Sequence, residues 1–202
     1  MSRKPKVTIL YEDARGQRNE FGLHRLVISA VRDDDAITAP YHELAAALEH
    51  RCQKGVDQVL RTCREDLPDI ARDGRKVAVV VDEDVIRDKL WLKPCATLPQ
   101  VAQAIRALCA ADMAPHIEVF VLSRNLESVL KAARDCVKEH RAEDPTDELF
   151  DRALCKDQLA RDLVLSGVAK ETHAKVRRCI LHKIAGLSDL VQWLGSVLSA
   201  SR

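Results

Sequence analysis

No apolar run in the 202-residue chain approaches the roughly 18 residues that would suggest a membrane-spanning helix. The opening Met1-Ser2-Arg3-Lys4-Pro5-Lys6 also lacks an apolar signal core, so neither secretion nor a membrane span is expected. Excess charge of one sign is missing too, since 32 Lys and Arg stand against 31 Asp and Glu for a net of +1. That balance gives no global basic field to mark a nucleic-acid binder and leaves only local patches for the role. There is no Gly-x-Gly-x-x-Gly or Walker-type loop, so a nucleotide cradle has no support. A Gly-x-Ser-x-Gly elbow is absent, and Ser123 has no evident base partner. Internal repeats and low-complexity tracts are absent as well. The cysteines (52, 63, 95, 109, 136, 155 and 179) are odd in number, scattered and mostly in helical patterns, which fits a reducing cytoplasm. Cys179-x-x-His182, with His173 nearby, lacks a second paired-ligand motif, so zinc is not expected.

What the chain does have is a core, with 47% apolar residues, and a length that suits one domain or one domain with an appendage. The run Val77-Ala78-Val79-Val80-Val81 has no polar alternation and reads as a strand covered on both faces, as in a parallel α/β sheet. It opens directly into Asp82-Glu83-Asp84. Strand C-termini are where such sheets bind ligands, and two carboxylates about 7 Å apart along an extended chain can share a cation once the chain bends. A second run, Val7-Thr8-Ile9-Leu10-Tyr11, ends in Glu12-Asp13, with Glu12 favoured over Asp13 for the inward position. If the two strands share a sheet edge, several carboxylates surround one site suited to a hard cation, Mg²⁺ or Mn²⁺.

Further candidates lie at the same presumed edge. Glu127 follows the strand-like His116 to Leu122, although a glutamate in a first helical turn is also favoured by the helix dipole alone. Glu20 is a weaker acidic candidate. Arg15, Arg18, Arg87, Lys89, Lys93 and Arg124 fall in the edge loops and suit phosphate oxygens, with solvated surface charge as the bland alternative for each.

Along the chain, apolar spacing predicts a helix over 19–31, a short strand at Ile37 to Pro40, and one or two helices from Glu43 to Ala71 broken near Gly55. A helix from Pro99 to Met113 and another from Leu126 follow, the latter N-capped within Ser123-Arg124-Asn125. After a polar linker at 143–147 the pattern is helical throughout, ending in a stripe of Leu190, Val191, Leu194, Val197 and Leu198. The organisation expected is therefore an α/β domain over 1–142, a mostly parallel sheet flanked by helices, and an all-helical C-terminal extension over 143–202. The leucine stripe needs a surface to bury against, which points to homo-oligomerisation or partner docking.

Glu12 at the end of strand one, Asp82-Glu83-Asp84 after a later strand, and the alternating helices resemble the Toprim domain of topoisomerases, primases and overcoming-lysogenization-defect nucleases. The resemblance covers about residues 6 to 140. It implies a Rossmann-like Toprim fold, with Glu12, Asp82 and Asp84 binding Mg²⁺ to support phosphodiester cleavage of nucleic acid, DNA before RNA. Arg124-Asn125-Leu126-Glu127 looks like the further acidic segment of small stand-alone Toprim proteins. Many of these act in bacterial anti-phage defence beside an ATPase, so an ATPase partner is implied. Two departures from the family pattern are present: Glu12 is followed by Asp13 where the family often has glycine, and the next acid is Glu20. A degenerate Toprim module that binds without cutting is the corresponding alternative.

Two other classes share part of the pattern. Asp82-x-Asp84 after a strand, with Ser123 after another, resembles haloacid-dehalogenase phosphatases, in which Asp82 would be the phosphoryl acceptor and Asp84 the acid/base. That motif normally opens its fold, and no later strand here brings a final acidic pair. A receiver-like module would use Glu12-Asp13 as its acidic pocket and Asp82 as phosphoacceptor, but it lacks the lysine after a fifth strand.

Overall fold

A computed structural model describes residues 5–12, 23–34, 37–71, 74–123, 126–143 and 171–199. Four strands, β1 (Val7–Tyr11), β2 (Leu48–Cys52), β3 (Lys76–Asp82) and β4 (Ile117–Leu122), form one sheet in the order β2-β1-β3-β4. Every pairing is parallel, so each strand must be reached by a crossover. Helices α1 (Leu23–Arg32) and α2 (Tyr41–Ala47) carry the chain from β1 to β2. Helices α3 (Val56–Glu65) and α4 (Leu67–Ile70) return it to β3, and α5 (Glu83–Lys89) and α6 (Leu98–Arg106) lead on to β4.

The unbroken apolar runs follow from this layering. Ile9, Tyr11, Ala78, Val80, Phe120 and Leu122 enter one core with Leu26 and Val27 of α1. Their neighbours in sequence, Leu10, Val77, Val79, Val81, Val119 and Val121, enter a second core with Val59, Leu60, Ile86, Val101 and Ile105. A strand with helices on both faces has no solvent side, so the period-2 alternation disappears. The molecule is thus an α/β structure of Rossmann-like form, and its all-parallel sheet flanked by helices is the architecture that its apolar runs and alternating elements predict.

The second strand is not where the sequence suggested. Ile37 to Pro40 forms no strand, and β2 is Leu48–Cys52 inside a stretch that reads as helix. Leu48 is buried but the other four residues of this strand are half-buried, so it lacks the double burial that makes the others obvious. Local propensity is overridden by its ladder and by a polar cluster in which Glu49 Oε2 accepts from Thr8 Oγ1 at 3.0 Å and Arg75 Nη1 at 2.5 Å. Leu48, His50 and Cys52 do alternate with Glu49 and Arg51, a short period-2 signal that could have located it. The helix read from Pro99 to Met113 also ends early, at Arg106, and a 3₁₀ turn spans Ala111–His116. Pro115 cannot continue a regular helix there.

Helices α7 (Leu126–Glu143), α8 (Glu171–Lys183) and α9 (Leu187–Ser199) cover the α1 face of the sheet. Leu190, Val191, Leu194 and Leu198 of the final stripe lie in the same core as Ile9 and Val80. The stripe is therefore covered by the chain's own sheet and α1. The homo-oligomer expected through these helices loses that basis, because periodicity shows that a face needs cover and not which surface supplies it. Cys136 and Cys179 form a disulfide between α7 and α8, a pairing the scattered cysteines gave no means to foresee. Gly186, at φ +85°, turns α8 into α9 so close to β4 that a Cβ there would meet Val121 O at 2.4 Å. Among the described residues, no helix is long and apolar enough to cross a membrane.

One ion pair fixes this layer. Arg177 of α8 is fully buried and binds Asp33, at the end of α1, through both Nε and Nη2, the latter at 2.7 Å. Removing one partner of a buried pair strands the other charge, typically at about 3–5 kcal/mol, whereas replacing both by apolar groups is far milder. Arg177→Ala should lower unfolding free energy by about that amount in urea titrations, and the Asp33→Leu/Arg177→Met double variant should lose much less.

Candidate active site at the sheet's C-terminal edge

The strand order defines a crevice. From β1 the chain moves to β2 by helices on one face, and from β3 it moves to β4 by helices on the other, so the direction of winding reverses between β1 and β3. Open α/β sheets bind ligands outside the strand C-termini at such a switch point. Glu12 leaves β1 and Asp82 ends β3 on either side of it.

Register brings the two residues together. Tyr11 pairs with Val80, and Glu12 N–H donates to Val80 O at 3.3 Å. Because β3 runs on past that point, the Asp82 N–H can donate to Glu12 Oε2 at 3.1 Å. On the other side, Glu12 O accepts from Gly55 N–H at 3.1 Å and Tyr11 O from Gln53 N–H at 2.7 Å. Gly55 adopts φ +89° as the chain enters α3, a conformation few side chains tolerate. Glu12 is thus held by both of its strand's neighbours. Tyr11, Glu12, Leu23, Val80, Asp82, Leu122 and Val129 line one small cleft.

Asp82 is also the N-cap residue of α5, yet its side chain makes no capping hydrogen bond. Capping α5 is therefore not the role of this carboxylate. Both carboxylates are hard oxygen donors, which fits a divalent cation such as Mg²⁺.

The remaining candidates divide. Asp84 lies in the first turn of α5 and Glu127 in the first turn of α7, but their side chains lie outside the described residues. Val129, two residues beyond Glu127, lines the cleft, so the start of α7 borders it. Asp13, Arg15, Arg18, Glu20 and Arg124 lie outside the described residues. Arg87 pairs with Glu83 at 2.6 Å and donates to Pro94 O at 3.3 Å, bracing the loop after α5. Lys89 reaches Asp57, in the first turn of α3, at 2.7 Å. Ser123 Oγ accepts from Ala185 N–H at 3.2 Å, which ties the end of β4 to the α8–α9 turn. Cys136, Glu139 and Cys179 form a ligand-like group, but the two sulfurs are bonded to each other and do not stand there as thiolates.

Sequence reasoning missed an aromatic stack under the cleft because it missed β2. Tyr11 and His50 rings stack at 5.7 Å, and His24 of α1 tilts onto His50 at 5.1 Å. Burial, then the nearby thiol of Cys52, pushes the Tyr11 phenol well above its ordinary value, so it stays protonated. His50 is pulled down to about 3 by burial and by His24, and His24 is lowered by burial and Arg25.

No family model matches the chain, and no curated protein or solved structure matches it either.

The His50 shift gives a pH dependence. Its folded value near 3 lies below the ordinary 6.5, so the unfolded chain takes up the proton first as pH falls. The stabilising contribution is complete above about pH 6.5 and is lost toward pH 3, with a slope approaching 1.4 kcal/mol per pH unit for one proton. Urea midpoints between pH 7 and 4 should therefore fall less steeply in His50→Phe than in the parent protein; parallel curves would refute the assignment.

Proposed function

We propose that the chain is a Toprim-like, metal-dependent phosphodiesterase acting on nucleic acid. The observation that carries this reading is the meeting of Glu12 and Asp82 across the switch point, in one cleft. Glu12, Asp82 and Asp84 would hold Mg²⁺ or Mn²⁺, with Glu127 as a further ligand at the start of α7. When bound, the ion supplies Lewis-acid stabilisation of the negative charge that develops on phosphate oxygens and the leaving group.

The chain's own groups divide the remaining work. The Asp82 N–H fixes the Glu12 carboxylate in orientation, so Glu12 is preorganised either as a ligand or as the general base that takes a proton from attacking water. Apolar Leu23, Leu122 and Val129 narrow the cleft and strengthen electrostatic interactions within it. Nucleic acid, with DNA before RNA, is the proposed substrate. Action beside an ATPase in anti-phage defence is the cellular role that the Toprim resemblance implies. A degenerate module that binds without cutting is the non-enzymatic form of the same reading. The phosphatase alternative has less support, since its Ser123 hydroxyl is engaged with the backbone of Ala185.

Plasmid and single-stranded substrates incubated with Mg²⁺, Mn²⁺ or EDTA should be cut only with metal. Asp82→Asn and Glu12→Gln should each reduce cleavage by about 100-fold or more while leaving the thermal unfolding midpoint nearly unchanged. Full activity in Asp82→Asn would sink the proposal. Metal-dependent binding without cutting would identify the degenerate form.

A further inference from the structure

Lys89-Leu90-Trp91-Leu92-Lys93 follows directly from α5, and its residues face opposite ways. Leu90 and Leu92 pack against the core on the α3 face of the sheet, whereas Trp91 is 94% exposed. Burying an indole is among the larger apolar gains open to a chain, and here it is forgone. Trp91 also holds φ at +54°, a left-handed conformation that is unfavourable for a bulky residue. The turn is nonetheless well defined: Trp91 N–H donates to Asp88 O at 3.1 Å and Leu92 N–H to Arg87 O at 3.0 Å. The indole is presented on a fixed support, which reduces the ordering cost of any contact it makes.

Its position follows from the two ends of α5. Asp82 occupies the N-cap position at the candidate site, and Lys89 at the helix's far end bonds Asp57 beside the C-terminus of β2. Helix α5 therefore lies along the sheet's C-terminal edge, and a helix of its seven residues spans about 10 Å. Trp91 follows the end of that helix on the α3 face, whereas the Glu12–Asp82 cleft is lined from the α1 face by Leu23, Leu122 and Val129, so the two lie on either side of the sheet's C-terminal edge. Among the described residues, the other exposed large apolar side chain is Val85, at 45%. Protein interfaces need a contiguous patch with an apolar centre, and a single indole between two lysines does not provide one. A π-face beside cations suits an unpaired base and its phosphates. Lys93 is exposed, and the Lys89–Asp57 pair is open to solvent, with side chains 42% and 73% exposed. Such a pair holds its lysine weakly enough to yield it to a phosphate.

We propose that Trp91, flanked in sequence by Lys89 and Lys93, is a stacking platform for an unpaired base of single-stranded nucleic acid that crosses the sheet's C-terminal edge to the Glu12–Asp82 cleft. The choice of ligand rests on the phosphodiesterase reading above. The test is titration of the full chain with oligothymidylate in EDTA, so that binding is read without cleavage. The other tryptophan, Trp193, packs on Phe120 with ring centroids 5.7 Å apart, so quenching of the exposed, red-shifted emission reports on Trp91.

The expected result is quenching in the parent protein, about ten-fold weaker binding by Trp91→Ala measured by anisotropy of a labelled oligonucleotide, and recovery of most of the affinity in Trp91→Phe. Trp91→Gly, which relieves the left-handed backbone, should bind as weakly as Trp91→Ala without a lower unfolding midpoint. If the parent protein binds no oligonucleotide in EDTA, the stacking role falls, and the nucleic-acid reading falls with it only if the Asp82→Asn variant also binds none in Mg²⁺. If it binds and Trp91→Ala binds equally well, only the stacking role falls. The role also falls if Trp91→Ala changes self-association in sedimentation and leaves oligonucleotide affinity intact, because the indole then serves a protein contact.

Discussion

The parallel pairing of β1 with β3 is the constraint on which the candidate site depends. It sets Tyr11 opposite Val80, and with that register the first residue to leave β1 comes within hydrogen-bond reach of the last residue of β3. A slip of β1 by one residue would turn Ile9 from one core toward the other while Val80 stayed in place. Buried on both sides, the two strands cannot slip without disordering both cores, so the Glu12–Asp82 approach is fixed by apolar packing well below it. Gly55 adds the last fixed point, since its positive φ lets the chain after β2 turn back and bind the Glu12 carbonyl.

The C-terminal helices support the same edge from outside. Val129 of α7 lines the cleft, and α7 is joined to α8 by the Cys136–Cys179 bond and a Lys183–Glu139 pair at 2.5 Å. In turn, α8 is anchored to α1 by the buried Arg177–Asp33 pair, and α1 contributes Leu23 to the cleft. Two of the cleft's apolar walls therefore come from elements bound to each other through α8. Helices with an amphipathic pattern that could have served an outside partner are part of the scaffold of the site.

Strands β1, β3 and β4 were legible because burial on both faces writes itself into sequence as an unbroken apolar run. Strand β2 was not, since a half-buried strand with Glu49 and Arg51 on one side carries only a five-residue alternation, shorter than the helical patterns around it. The acidic ends of β1 and β3 could likewise be read as candidates, but their proximity could not. They are 70 residues apart in sequence, and what brings them together is strand order, a long-range property that periodicity does not encode. The tyrosine–histidine stack was invisible for the same reason, as it exists only once His50 is placed on β2 beside β1. The exposure of Trp91 was hidden in a different way, because a tryptophan between two leucines reads as core until the turn that points it outward is known.

The edge also departs from what stability alone would favour. Glu12 and Asp82 both line one small cleft with the apolar Leu23, Val80, Leu122 and Val129, surroundings that solvate a charge less well than water does. Asp82 occupies a helix N-cap without using its side chain as a cap, and Trp91 stands in solvent on a left-handed backbone. Each choice has a cheaper substitute: a serine that caps, a neutral side chain in place of Glu12, a glycine at 91. By contrast, Thr97 and Gln100 start α6 with a complete capping box. Departures of this kind are expected at functional sites, and here the Asp82 N-cap and the Trp91 backbone lie at the two ends of the same short helix, α5.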